Sequence, residues 1–166
     1  MDIRNMHLDD YTAVYKLWCS CKGMGLNNLD DSQDGIACFL RRNPDTCFVA
    51  EEHGQIVGAI LTGNDGRRGH IYYTAVHPQY RRQGIATQLV EAALQALQRA
   101  GINKASLVVF ADNEAGNRFW QKMGFLPRQD IIYRDRPLAE MERQKTQICL
   151  CCRWRQNGKE ADGAGI

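Results

Sequence analysis

The sequence predicts one α/β (α+β) domain with a mixed central sheet, and three observations predict it. The apolar runs Cys47-Phe48-Val49-Ala50 and Ile56-Val57-Gly58-Ala59-Ile60-Leu61 flank His53-Gly54, which reads as an antiparallel hairpin. The run at residues 71–76, the amphipathic segment after Ala86 and the run at 105–110 read as strand, helix and strand, a right-handed parallel crossover. At 166 residues the chain is long enough to bury a core without disulfides or a structural metal.

Taken in order, residues 2–6 start a strand, and Leu8-Asp9-Asp10 opens a helical pattern whose Tyr11, Val14, Tyr15, Leu17 and Trp18 form a broad apolar face. Gly23-Met24-Gly25 ends it. Asp31 or Ser32 caps a second helix carrying Ile36, Phe39 and Leu40, which stops before Asn43-Pro44. After the hairpin, Asn64-Asp65-Gly66 marks a turn into the strand at 71–76. Leu89, Val90, Ala93, Leu94 and Leu97 then recur at helical spacing, with Gly101 at the stop. Beyond the strand at 105–110, Asp112 and Asn113 cap a helix with Ala115, Phe119 and Met123 along one face; Gly124 ends it and Phe125 folds back. Ile131-Ile132-Tyr133 reads as the last core strand. Residues 138–166 change character: 138–145 read as helical, 148–154 as a short apolar patch, and 158–166 as small, polar and disordered.

Hydrophobic residues make up 44% and charged residues 24%, with a formal net charge of only +2, so nothing in the composition calls for nucleic acid. No apolar run approaches the roughly 18 residues that cross a bilayer. Seven cysteines, of which only Cys149 and Cys152 have C-x-x-C spacing, suggest no disulfide framework, and the expectation is a cytoplasmic protein with reduced thiols. Cys149-Leu150-Cys151-Cys152 has no nearby histidine and no second pair, so small hydrophobes are the better reading there than a metal site.

The most informative segment is Pro78-Gln79-Tyr80-Arg81-Arg82-Gln83-Gly84-Ile85-Ala86-Thr87-Gln88, between an apolar strand and an amphipathic helix. A helix entered through a small, basic loop presents unpaired N–H groups and a partial positive charge, which suits an anion. It is neither G-x-x-x-x-G-K-[ST] nor G-x-G-x-x-G; it reads Arg-x-x-Gly-x-Ala. Alone, a glycine at a helix start is equally a tolerated start. One strand later stands Asn113-Glu114-Ala115-Gly116-Asn117-Arg118-Phe119-Trp120-Gln121-Lys122-Met123-Gly124-Phe125. Together the two segments resemble the GNAT superfamily of N-acetyltransferases, over about residues 1–135.

The resemblance implies a mostly antiparallel sheet flanked by helices, whose central parallel strands splay apart, with residues 1–137 as the acetyltransferase domain and 138–166 as an extension. It implies acetyl-CoA as cosubstrate, with the diphosphate on the amides of Arg82, Gln83, Gly84, Ile85, Ala86 and Thr87, assisted by Arg81, and the pantetheine arm along Ala75 and Val76. Asn113, Asn117 and Trp120 complete the implied cofactor set, although Asn113 also suits a helix cap and Trp120 a core packing role. The family implies an amine acceptor, small molecule or protein N-terminus or lysine, attacked directly in a ternary complex; many members pair as homodimers. No metal is implied.

An amine must lose a proton, which calls for a base. Strand alternation puts His70, Tyr72 and Thr74 on one face and Tyr73, Ala75 and His77 on the other, and in some relatives a carboxylate stands where His70 does. His70, Tyr72 and Glu51 are the catalytic candidates, with Glu52 beside the last; each residue type also serves as ordinary surface or packing. Many relatives carry a tyrosine where Trp120 stands, and indole is no usable acid for the leaving thiolate. That departure keeps a non-catalytic acyl-CoA-binding or regulatory module as the alternative.

Overall fold

The first turn that organises the chain is His53-Gly54. Both residues take positive φ, 50° and 73°, the geometry of a two-residue type I′ turn whose twist matches the flanking strands. In the computed structural model, which describes residues 1–21 and 24–144, this turn joins β2 (Phe48–Glu52) to β3 (Gln55–Asn64). Three further strands, β1 (Asp2–Asn5), β4 (Gly69–Val76) and β5 (Ala105–Leu107), complete a sheet in the order β1-β2-β3-β4-β5. Every pairing is antiparallel except β4 with β5, the parallel crossover.

Helices α1 (Tyr11–Ser20) and α2 (Gln33–Arg42) cover one face, and α3 (Ile85–Arg99) the other. Ser32, rather than Asp31, caps α2, its Oγ accepting from Gly35 N at 3.1 Å. Val14, Leu17, Trp18 and Ile36 meet Val49, Ala59, Leu61 and Ala75 in one core layer. Ile85, Leu89, Val90 and Ala93 meet Ala50, Val57, Ile60 and Ile71 in the other, and α4 (Glu114–Lys122) adds Phe119 and Trp120 to its rim.

The layer under α3 is tightly closed at Gly58. A Cβ there would stand 3.0 Å from both Ile85 Cγ2 and Leu89 Cδ1. Gly58→Val is therefore expected to destabilise the fold by about 1–3 kcal/mol through overpacking, read as a lowered denaturation midpoint.

Strand β4 carries one residue more than its partner. Thr62 pairs with Ile71 and Leu61 with Tyr73, which leaves Tyr72 as a bulge. Alternation is broken there: Ile71 lies in the α3 layer, whereas Tyr73 and Ala75 lie in the α1 layer. Thr74, opposite Ile60, turns to α3. The alternation expected from sequence thus fails at Thr74, and the adjacent Tyr72 and Tyr73 share a face.

Two C-terminal expectations also fail. Ile131, Ile132 and Tyr133 form no strand and are 60%, 79% and 71% exposed, because no ladder forms beyond the three-residue β5 among the described residues. Residues 138–144 form no helix. Instead Asn28 N donates to Glu142 O at 3.1 Å and Gln144 N to Leu26 O at 2.8 Å, so the segment pairs as extended backbone with the loop after α1. The strand expected at 105–110 ends at Leu107. The cysteine cluster at 149–152 and the tail at 158–166 lie outside the described residues.

Candidate active site

Pairing between β4 and β5 stops at Ile71 and Leu107, while β4 runs on to Val76. Val108 and Phe110, just past β5, are more than half exposed. The edge of β4 from Tyr72 onward therefore faces no strand among the described residues, a gap in an otherwise continuous sheet. His77 N donates to Val57 O on β3 at 2.9 Å, so alternation puts the N–H and C=O of Val76 on the open edge. The carbonyl is met there by Arg81 Nε at 3.1 Å and by the buried Cys21 Sγ at 3.7 Å.

The loop that follows is wound for an anion. Arg82 and Gly84 both have left-handed backbone, φ 64° and 80°, and for an arginine that geometry costs roughly 1–2 kcal/mol. Successive N–H groups in such a loop form a concave nest. Gly84 heads α3 with no side-chain cap, so the first-turn amides take no cap from the described residues, and the helix begins with Gln88 N on Gly84 O at 3.1 Å. Across the gap, Asn113 Oδ1 accepts from Gly116 N at 3.0 Å to cap α4, and Asn117 Nδ2 donates to Phe110 O at 3.0 Å, tying α4 to the chain leaving β5. Trp120 packs edge-on between Phe119 and Phe125, with ring centroids 5.0 and 5.3 Å away.

Where β4 still pairs, His70 Nδ1 lies 3.0 Å from Ser106 Oγ, and its ring meets Tyr72 edge-on at 4.7 Å. Burial lowers the imidazole pKa below its ordinary value and raises that of the Tyr72 phenol. Both line a surface pocket of about 400 Å³, together with Phe39, Arg42, Arg68 and Ser106. On the same face Tyr73 donates to Asp31 Oδ2 at 3.1 Å and to Gly25 O at 3.3 Å. Asp31 is only 2% exposed and also accepts from Asn27 N at 2.6 Å; burial pushes its carboxyl above the usual range.

The model of the GNAT acetyltransferase family matches residues 11–125, most of the chain. The chain belongs to that family. An acetyltransferase of Sodalis glossinidius is 35% identical over 140 residues, covering 84% of this chain and 97% of its own. Among solved structures, Ard1 from Thermoplasma volcanium superposes with a TM-score of 0.68 at 25% identity, over 75% of this chain and 82% of that one. The PaiA N-acetyltransferase from Thermoplasma acidophilum, solved in complex with coenzyme A, superposes with a TM-score of 0.65 at 15% identity, over 74% and 87%. The mixed, mostly antiparallel sheet flanked by helices is the fold these structures share with this GNAT acetyltransferase.

In this GNAT protein the residues expected to hold cofactor fall into two groups flanking one gap. Ala75, Val76 and the loop from Arg81 through Arg82, Gln83, Gly84, Ile85, Ala86 to Thr87 stand on the β4 side; Asn113, Asn117 and Trp120 stand on the α4 side. His70 and Tyr72 come together. Glu51 does not join them: it lies on β2, where its Oε2 accepts from Arg4 Nε at 2.9 Å. Sequence reasoning missed Cys21 beside Val76 and the pairing of Asp31 with Tyr73, which joins residues 42 positions apart. The turn-forming run Asn27-Asn28-Leu29-Asp30-Asp31-Ser32 marked the loop but carried no sign of its partner.

Proposed function

We propose that this acetyltransferase moves the acetyl group of acetyl-CoA to a primary amine by direct attack in a ternary complex. The observation that carries the reading is the open edge of β4, followed after a short loop by an uncapped helix start with left-handed Arg82 and Gly84. The amides from Arg82 to Thr87 would hold the diphosphate, and Ala75 and Val76 would pair with the pantetheine arm as an added strand does. Asn113, Asn117 and Trp120 shape the opposite wall.

The Val76 N–H would face the thioester oxygen as it gains charge, where a fixed donor lowers the barrier. The amine nitrogen attacks the thioester carbon, the C–S bond breaks, and the amine proton passes to a base. His70, held by Ser106, is the candidate base; it stands six residues back along β4 from Val76, so the proton would reach it through a chain of waters rather than one. Tyr72 lies against it, whereas Glu51 is engaged by Arg4. Trp120 cannot protonate the sulfur, and a thiol pKa of about 8.5 lets the thiolate leave unassisted. The amine-binding space is supplied by the α1–α2 face of β4.

Thiol release from acetyl-CoA with a panel of amines and peptides tests the reading. Cofactor binding with no turnover on any acceptor would favour the non-catalytic module, which the tryptophan at position 120 makes a real alternative. The pH profile tests the base. A histidine with a depressed pKa is neutral at pH 7 and gains its proton only below the ordinary value of about 6.5. The kcat/KM should therefore rise with an inflection below about 6.5, and His70→Ala should remove that inflection along with about 10²-fold or more of the rate. An unchanged profile in the variant would take His70 out of the mechanism.

A further inference from the structure

The pocket beside His70 has a charge that acetyl transfer by itself does not require. Arg42, the last residue of α2, and Arg68, just before β4, both line it, and neither has an ion-pair partner among the described residues. Arg68 makes one side-chain bond, to its neighbour's carbonyl at 3.4 Å. The carboxylate in the wall, Asp65, is already engaged, accepting from the backbone N–H groups of Arg67 and Arg68 at 2.8 and 2.6 Å. Two guanidiniums thus stand against one committed carboxylate, beside an aromatic wall in which Phe39 and Tyr72 meet at 5.2 Å. A polycationic amine is repelled by this wall, and a carboxylate is drawn to it.

Length adds a second constraint. Tyr72 borders the pocket and Val76 presents its N–H to the gap four residues further along β4, a span of about 13 Å at strand rise. A small amine cannot touch both places. An extended chain of about four residues can.

We infer that the acceptor is an extended acidic peptide, its amino terminus at the gap beside Val76 and a carboxylate side chain about four residues on, held between Arg42 and Arg68. The inference rests on the acetyl-transfer reading above and names the acceptor class for it. Two peptides test it, Ala-Ala-Ala-Glu-Glu and Ala-Ala-Ala-Gln-Gln, assayed by thiol release and, separately, by equilibrium binding to the protein without acetyl-CoA. The wild-type protein should favour the glutamate peptide by about tenfold in kcat/KM, chiefly through KM, as charge-assisted contacts do. The double variant Arg42→Gln/Arg68→Gln should bring that ratio close to one. Arg41→Gln, on the same exposed helix end but outside the pocket wall, should keep it.

Equal turnover of the two peptides by the wild-type protein would overturn the inference and leave acetyl transfer standing. So would a preference that survives undiminished in the double variant. If no amine releases thiol, yet the glutamate peptide binds more tightly and this depends on Arg42 and Arg68, the anionic site stands and the transfer reading falls. Absence of both turnover and arginine-dependent binding would overturn the two together. Arg42 and Arg68 are exposed, so their loss should leave folding intact, which circular dichroism checks.

Discussion

Gly84→Val is expected to raise the KM for acetyl-CoA by about tenfold to a hundredfold, the loss of one charge-assisted contact to a phosphate. The cause would be conformational, not steric. A Cβ at Gly84 has open space, its nearest neighbour being Gln88 Nε2 at 3.9 Å, but a β-branched residue at φ 80° is a backbone outlier. The loop would relax to negative φ and swing the amides at the head of α3 away from a common centre. Because α3 is anchored by Leu89, Val90 and Ala93, the fold should survive, and far-UV circular dichroism should be unchanged. Steady-state kinetics with acetyl-CoA varied at fixed amine gives the measurement. A wild-type KM in Gly84→Val would mean that the loop does not hold the diphosphate.

Trp18→Ala is expected to cost about 3–5 kcal/mol and to lower Tm by on the order of 10 °C. Trp18 is fully buried in α1, its ring 5.2 Å from that of Tyr73 on β4, and it fastens the helix to the part of the sheet that borders the gap. Its indole N–H has no partner among the described residues, a local cost that phenylalanine would remove. Trp18→Phe should therefore be much the milder change, since it keeps most of the ring and gives up a donor that goes unused. Chemical denaturation of the two variants checks the order. Equal losses would show that the emptied ring volume is not what destabilises the alanine variant.

What could be read from the residues was the part governed by local periodicity. The apolar positions of α3 repeat at helical spacing, and of them Leu89, Val90, Ala93 and Leu97 are buried while Leu94 is half-buried; His53-Gly54 is the turn its dipeptide suggests. The loop at Arg81–Ala86 and the cap at Asn113 likewise stand where the paired motifs put them. Family membership followed from those motifs, which short backbone geometries dictate. The parts that failed depend on partners far along the chain. Residues 131–133 have a strand-like composition but pair with no strand among the described residues, and 138–144 give up helix for bonds to Leu26 and Asn28. Asp31 and Tyr73 meet only because the α1–α2 loop folds down onto β4, and nothing in the local pattern of either announces that.

The bulge at Tyr72 decides more than where two rings point. Gly69 N donates toward β5, reaching Lys104 O at 2.9 Å, and an unbroken strand would then direct the amides of residues 71, 73 and 75 outward and that of 76 inward to β3. The inserted residue inverts that parity, so it is residue 76 that looks outward. Removing one residue at this point would leave β4 a strand but hand the free donor to its neighbour, one position out of step with any thioester laid along the edge.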